Sequence, residues 1–230
     1  MAKHLTVLAL LLTLTCAAAS SPEPRLYTAQ YDVYEDGSIK AGMTSTLKKT
    51  DNNQYRLTDI TEGTAGLASL LNFQRTETTD FIVQPDYIEA TRHSMRQKVA
   101  FKNKYFEFHH RPGEPVYQGL DDKKPFQVNS EQPLLSTQLI SWQLTRDVCH
   151  QPEKTLQWSV LKSNQAKQYS FDIIAVDNHK TLVHRRYQNR PDKSTAIWIN
   201  TQDCIIEEII YKKDDKVVRT VLENITYQTP

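Results

Sequence analysis

The chain has 230 residues, with 28 Lys and Arg against 27 Asp and Glu and a formal charge of +1. Such a balance excludes a nucleic-acid binder that works by charge alone, and 39% hydrophobic residues exclude wholesale disorder. The 6 glycines all lie between Gly37 and Gly119, which excludes collagen-like and glycine-rich repeat classes.

The chain opens on Lys3, the apolar run Leu5 to Leu14, and the small residues Ala17, Ala18, Ala19, Ser20 and Ser21. A cation, a short apolar stretch and an Ala-x-Ala site predict a secretory signal peptide, residues 1–19, cut after Ala19. Thr15 before Cys16 makes a poor lipoprotein signal. No later run is long enough to span a membrane as a helix. The expected location is therefore the periplasm, with residues 20–230 forming a single β-rich domain. Losing Lys3 leaves 27 cations against 27 acids, a mature charge of zero.

After the leader, Tyr27, Ala29, Tyr31 and Val33 alternate with polar residues, the period of a half-buried strand. Asp36-Gly37 reads as a turn, and Ile39, Ala41, Met43 and Leu47 continue the alternation up to a second turn at Asp51-Asn52-Asn53. Tyr55 and Leu57 open a third strand. Gly63 to Leu71 reads as a turn or short helix that places apolar side chains at one end of the sheet. Residues 74–83, 86–96, 98–102 and 104–110 read as strands, with turns at Pro85-Asp86 and Lys102-Asn103. Pro112 to Pro125 reads as a loop.

Residues 133–148 are predicted as the one long helix, with Pro133 in its first turn and Ser130 as its cap. Leu135, Leu139 and Trp142 share one face and Ile140, Leu144 and Val148 another, as in a helix buried between elements. A strand through Ile140, Trp142 and Leu144 fits the alternation equally well. Strands then follow through Leu156–Val160, Tyr169–Ile173, Thr181–Tyr187 and Ser194–Ile199. A final hairpin, Ile205–Tyr211 and Val217–Tyr227, turns at Lys213-Asp214-Asp215.

Two cysteines remain after the leader, Cys149 and Cys204. Export favours a disulfide between them over two buried thiols. No C-x-x-C is present, which argues against a redox enzyme.

Chemistry is sparse. Neither H-x-H nor H-E-x-x-H occurs, so no metal site is expected. His109-His110 should point to opposite faces of a strand. No G-x-S-x-G elbow, P-loop or Asp-x-Asp calcium loop is found. Glu207-Glu208 should place one carboxylate on each face, at an edge position or held by a salt bridge. His184, Arg185, Arg186, Arg190 and Lys193 form the densest basic stretch, read first as a solvated rim and second as a site for a lipid headgroup or anionic partner. No catalytic residue and no cofactor are expected, and the chain is read as not an enzyme.

Tyr31, Val33, Gly37, Gly42, Leu47, Tyr55, Leu57, Gly66-Leu67-Ala68-Ser69-Leu70, Glu77, Phe81, Pro85 and Tyr87 occur in an order that resembles a secreted proteobacterial family. That family is catalogued as domain of unknown function number thirty-one-oh-eight. Tyr169-x-Phe171, Trp198-Ile199 and the Ile206–Thr226 hairpin resemble its second half. Asn178-His179-Lys180 departs from the glycine-bearing turn that the resemblance would lead one to expect, and the cysteine pair is no feature of it. The family has no assigned activity and transfers no site residue.

More distantly, the order of elements is similar to the periplasmic lipoprotein carriers LolA and LolB. That likeness implies a mainly β fold with one or two helices: a single strongly curved antiparallel sheet, a half-barrel, packed on a helix. It also implies a carrier or sensor of a hydrophobic ligand, an acyl chain or a lipoprotein, bound by Tyr31, Met43, Leu67, Leu70, Phe81, Leu139 and Trp142. The same residues would equally fill a closed core. The alternative function is an envelope assembly module with a protein partner and no ligand.

Overall fold

The computed structural model describes residues 23–51, 53–84, 87–150 and 155–228. The leader, its cleavage site and the Pro85-Asp86 turn lie outside the described residues. Strands β1 (Tyr27–Glu35), β2 (Ser38–Asp51), β3 (Gln54–Gly63) and β4 (Gln74–Val83) open the fold, with helix α1 (Gly66–Leu70) between the last two. Strands β5 (Ile88–Val99), β6 (Lys102–His110), β7 (Val116–Asp121) and β8 (Lys124–Asn129) complete the first half. A two-residue strand β9 (Leu135–Ser136) leads into helix α2 (Leu139–His150). The second half is β10 (Thr155–Lys162), β11 (Gln165–Asp177), β12 (Lys180–Arg186), β13 (Lys193–Asn200), β14 (Ile205–Lys213) and β15 (Lys216–Tyr227).

Among the described residues these form one 15-stranded sheet in the order 8-7-6-5-4-3-2-1-15-14-13-12-11-10-9. Two meanders are thus joined where β1 pairs with β15, Tyr27 opposite Tyr227. Pairing is antiparallel except for β9, which lies parallel to β10. The order is linear and ends on two separate edges, β8 and β9. The expected strongly curved half-barrel is corrected to an open sheet that neither closes nor curls strongly. Alternation along a strand fixes which face a side chain takes. It does not fix how far the sheet bends, so strand counting gave no warrant for that curvature.

The strands arise where apolar residues recur at every second position. Tyr55 and Leu57 on β3, Phe106 and Phe108 on β6, and Ile197 and Ile199 on β13 are all buried. One bulge changes the phase: Ile88 and Ala90 point into the core, then His93 and Met95 do, because the β4–β5 register shifts between Asp80 and Phe81. The β5–β6 turn falls at Ala100–Phe101 rather than at Lys102-Asn103, and Ala100 takes a left-handed φ of 52°.

The segment read as a loop at Pro112–Pro125 contains β7. Its buried Tyr117 accepts the Leu134 amide at 2.9 Å and stacks on His110 at 4.0 Å. Prolines and charges at its ends hid a strand anchored by one aromatic ring.

The central helix starts later than predicted. Ser130 turns its hydroxyl to the Gln132 carbonyl at 2.7 Å, and Ser136 instead accepts the Leu139 amide at 3.1 Å. Leu135 and Ser136 are drawn into pairing with Val160 and Leu161. From Leu139 onward α2 buries Leu139, Ile140, Leu144 and Val148. Its far end is stapled to the β13–β14 turn by a Cys149–Cys204 disulfide with Cα atoms 5.9 Å apart.

Candidate functional site

The apolar interior falls into two clusters. The larger runs through Leu47, Leu57, Phe81, Phe108, Leu139, Leu144, Val183 and Ile199. The smaller is Ala29, Tyr31 and Ile205, with Tyr27, Met43, Leu222 and Ile225 packed against it. A cavity of about 330 Å³ lies where they separate, between β1–β3, β14 and α2. Tyr31, Met43, Leu57, Trp142, Ile205 and Ile209 give it an apolar wall. Exposed Glu23, Arg25, His150 and Gln202 mark its mouth. There Arg25 lies over the Tyr227 ring at 3.8 Å and 3.7 Å from Asp203.

One polar row crosses the apolar wall. Sheet register places Ser45 opposite Asp59, and Asp59 opposite Glu77. Asp59 lines the cavity, and its Oδ1 is buried with no hydrogen-bond partner. Burial pushes its carboxyl up to about 6, while hydrogen bonds from Ser45 and Gln138 pull it back. Tyr27 and Tyr31 are pushed well above the ordinary phenol range, first by burial and then by nearby charge that includes Asp59.

Behind Asp59 lies a closed network. Thr79 Oγ1 is 2.8 Å from His93 Nδ1, 2.9 Å from Ser136 Oγ and 2.7 Å from Gln138 Oε1. A hydroxyl has one proton, and an amide oxygen only accepts. Thr79 therefore donates to Gln138, and Ser136 and His93 both donate to Thr79. This requires the proton on His93 Nδ1. It agrees with a fully buried, neutral ring whose pKa burial holds down to about 4. The Gln138 amide nitrogen is thereby turned toward the Glu77 carbonyl, at 3.3 Å, and toward Asp59. The network thus fixes the Asp59 side of the cavity.

The seven residues expected to bind ligand do not sit together. Tyr31, Met43 and Trp142 share the cavity wall. Phe81 and Leu139 are in the closed core, Phe81 against Trp142 at a ring distance of 5.3 Å. Leu67 and Leu70 lie on α1, 73% and 78% exposed, and line no part of this cavity. Sequence reading missed Asp59, Ser45 and Gln138. The available signal was a short acid at an inward position of β3, two residues after Leu57.

Most other charged features have structural partners, although the buried Arg185 Nε has no hydrogen-bond partner. His109 is exposed, and buried His110 lies 2.6 Å from Glu89. Glu207 pairs with Lys180 and Glu208 with Arg219. In the basic stretch, Arg185 stacks on Tyr169 and Tyr187, Arg186 pairs with Asp172, and Arg190 with Asp192. Among the described residues no group of three or more His, Cys, Asp or Glu is placed to hold a metal. No described helix is long and apolar enough to cross a membrane.

No protein-family profile matches the chain, so the resemblance to family thirty-one-oh-eight gains no support there. No curated protein matches either. Among solved structures, the chain is similar to a beta-barrel-like protein of domain of unknown function DUF1849 from Brucella abortus. The TM-score is 0.58 at 11% identity, covering 90% of this chain and 99% of that one. At that identity the likeness shows a shared fold and carries no activity with it.

Proposed function

We propose that the protein is an exported, non-catalytic binding protein that holds a small amphiphile in the cavity between β1–β3, β14 and α2. The observation that carries this reading is the cavity itself: an apolar and aromatic wall that carries one buried carboxylate, Asp59, beside the polar groups of Ser45, Gln138, Ser141, Thr145 and Arg146. Small-molecule sites have this composition, and about 330 Å³ is near the lower end of their range. That size favours a single short acyl chain over the several chains of a lipoprotein. Export is supported by the leader-like run Leu5–Leu14 and by the disulfide, a bond that persists in oxidising compartments.

Native mass spectrometry of protein recovered from its own periplasm tests the reading. The expected result is a bound small amphiphile and uptake of a fluorescent fatty acid or fatty amine. Protein that arrives empty and takes up neither probe would transfer the function to the envelope-module reading.

A further inference from the structure

Helix α1 inverts the usual order of a surface helix. A helix normally turns its large apolar residues inward. Here the small residue faces the sheet: a Cβ on Gly63 would stand 2.5 Å from the Ala68 carbonyl, so Ala68 is seated directly on β3. The seat is fixed by backbone bonds from Phe73 N to Ala68 O and from Gly63 N to Phe73 O, both 2.9 Å. Leu67 and Leu70 are consequently held out in solvent, with none of α1 buried.

The β5–β6 turn stands beside them, joined by a bond from Ala100 N to Leu71 O at 2.6 Å. Phe101 at its tip is 101% exposed. Leu67, Leu70, Leu71 and Phe101 thus form one apolar knob at the end of the sheet, held by backbone rather than by a mobile loop.

Charge around the knob is predominantly positive, with exposed Glu62, across Gln74 from Lys98, the acid at the same level of the sheet. The stretch 63–74 contains no charged residue, and 96–104 contains Arg96, Lys98, Lys102 and Lys104 with no acid. All four cations are exposed. Lys40 adds a fifth from β2, its Nζ 3.7 Å from where a Cβ on Gly66 would be. An apolar tip collared by cations matches a bilayer surface, with side chains entering the acyl boundary and cations at the headgroups. A protein partner would require a shaped acidic complement. A bilayer requires only negative charge and an apolar interior.

From this juxtaposition we infer that the α1 and β5–β6 tip docks the protein on the surface of an anionic lipid membrane. The inference does not depend on what occupies the cavity.

The test is co-sedimentation of the exported protein with phosphatidylglycerol–phosphatidylcholine vesicles and with phosphatidylcholine alone. Binding is expected only to the anionic vesicles and should weaken as salt rises. Leu70→Ser with Phe101→Ser should lower binding about tenfold or more through lost apolar insertion. Lys98→Gln with Lys102→Gln should do the same through lost attraction to headgroups. All four side chains are exposed, so the melting temperatures of both variants should match the parent. Equal binding by parent and variants overturns the inference. So does an absence of vesicle binding alongside a protein partner whose capture needs Leu70 and Phe101.

Discussion

Asp59 and His93 carry opposite pH signatures, and each cancels part of the other. Burial raises the Asp59 carboxyl to about 6, above its unfolded value near 4. Between those values the native state holds the extra proton, so this group lowers stability as pH rises through the window. His93 has its pKa held down to about 4, below its unfolded value of about 6.5. There the unfolded state holds the extra proton, so this group lowers stability as pH falls. The two slopes overlap from about pH 4 to 6. Asp59→Asn should therefore do two things. At pH 7 it should stabilise by on the order of 2 kcal/mol, by removing a desolvated charge. It should also expose the His93 slope, so that the variant loses stability from pH 6.5 down to 4 faster than the parent. Urea midpoints at pH 4.5, 5.5 and 7 would check both, and a variant with the parent's pH profile would contradict the assignment.

Gly119 gives a second residue-scale prediction, of a different kind. It lies beside Phe108 in the β6–β7 register, and a Cβ there would stand 1.9 Å from the Glu107 carbonyl oxygen. The clash is with backbone, so no rotamer change relieves it. Gly119→Ala should cost about 3 kcal/mol, the upper end for overpacking, and denaturant unfolding would show it. A glycine in a strand signals close backbone approach, but in the sequence it stood among prolines and charges, in a stretch that read as a loop.

At the scale of elements, legibility followed periodicity. The β14–β15 hairpin turns at Asp214-Asp215 as expected, because two short acids between Lys213 and Lys216 suit a two-residue turn, where Asp214 takes a left-handed φ of 53°. Helix α2 was legible in its body, where Leu139, Leu144 and Val148 must be buried together. Its start was not, because a tertiary partner decided it: β10 offers Leu135 and Ser136 a parallel pairing that outcompetes a longer helix. Helix α1 was legible as a turn or short helix at one end of the sheet but not in its orientation, which the Gly63–Ala68 contact sets.

The Cys149–Cys204 bond fixes the other end of α2 across a separation of 55 residues. Closing a loop of that length is worth up to about 4 kcal/mol in the chain-entropy account. Cys149→Ser with Cys204→Ser should lower the melting temperature to that of the reduced parent. The helix should remain folded, since its inner face is buried independently of the bond. Thermal melts with and without reductant would show this, and a parent insensitive to reductant would refute it.

For the molecule as a whole, the open sheet explains why a cavity exists where it does. The two meanders meet at β1 and β15, and the large core cluster is filled by α2 and the segment around β9. Near Tyr31 and Ile205 the second, smaller cluster has no helix of its own, and space is left between them. No sequence pattern encodes this, because it depends on where α2 ends relative to a seam between strands 1 and 15. The reading that Tyr31, Met43 and Trp142 face a common space was within reach of alternation. The polar row through Asp59 needed the β2–β3 register. If the cavity is the binding site, filling it should abolish uptake while sparing the fold. Met43 is the position to fill: it lies on the wall opposite Thr61 and Tyr31 and makes no polar contact that the network depends on. Met43→Trp should occupy the space at a stability cost of about 1–2 kcal/mol. Uptake of a fluorescent amphiphile should fall about tenfold or more, since a blocked apolar site forfeits the burial that drives binding. Met43→Leu, close in volume, should keep uptake near the parent level. Equal uptake by Met43→Trp and the parent would place the ligand elsewhere and leave this cavity a packing defect at the seam.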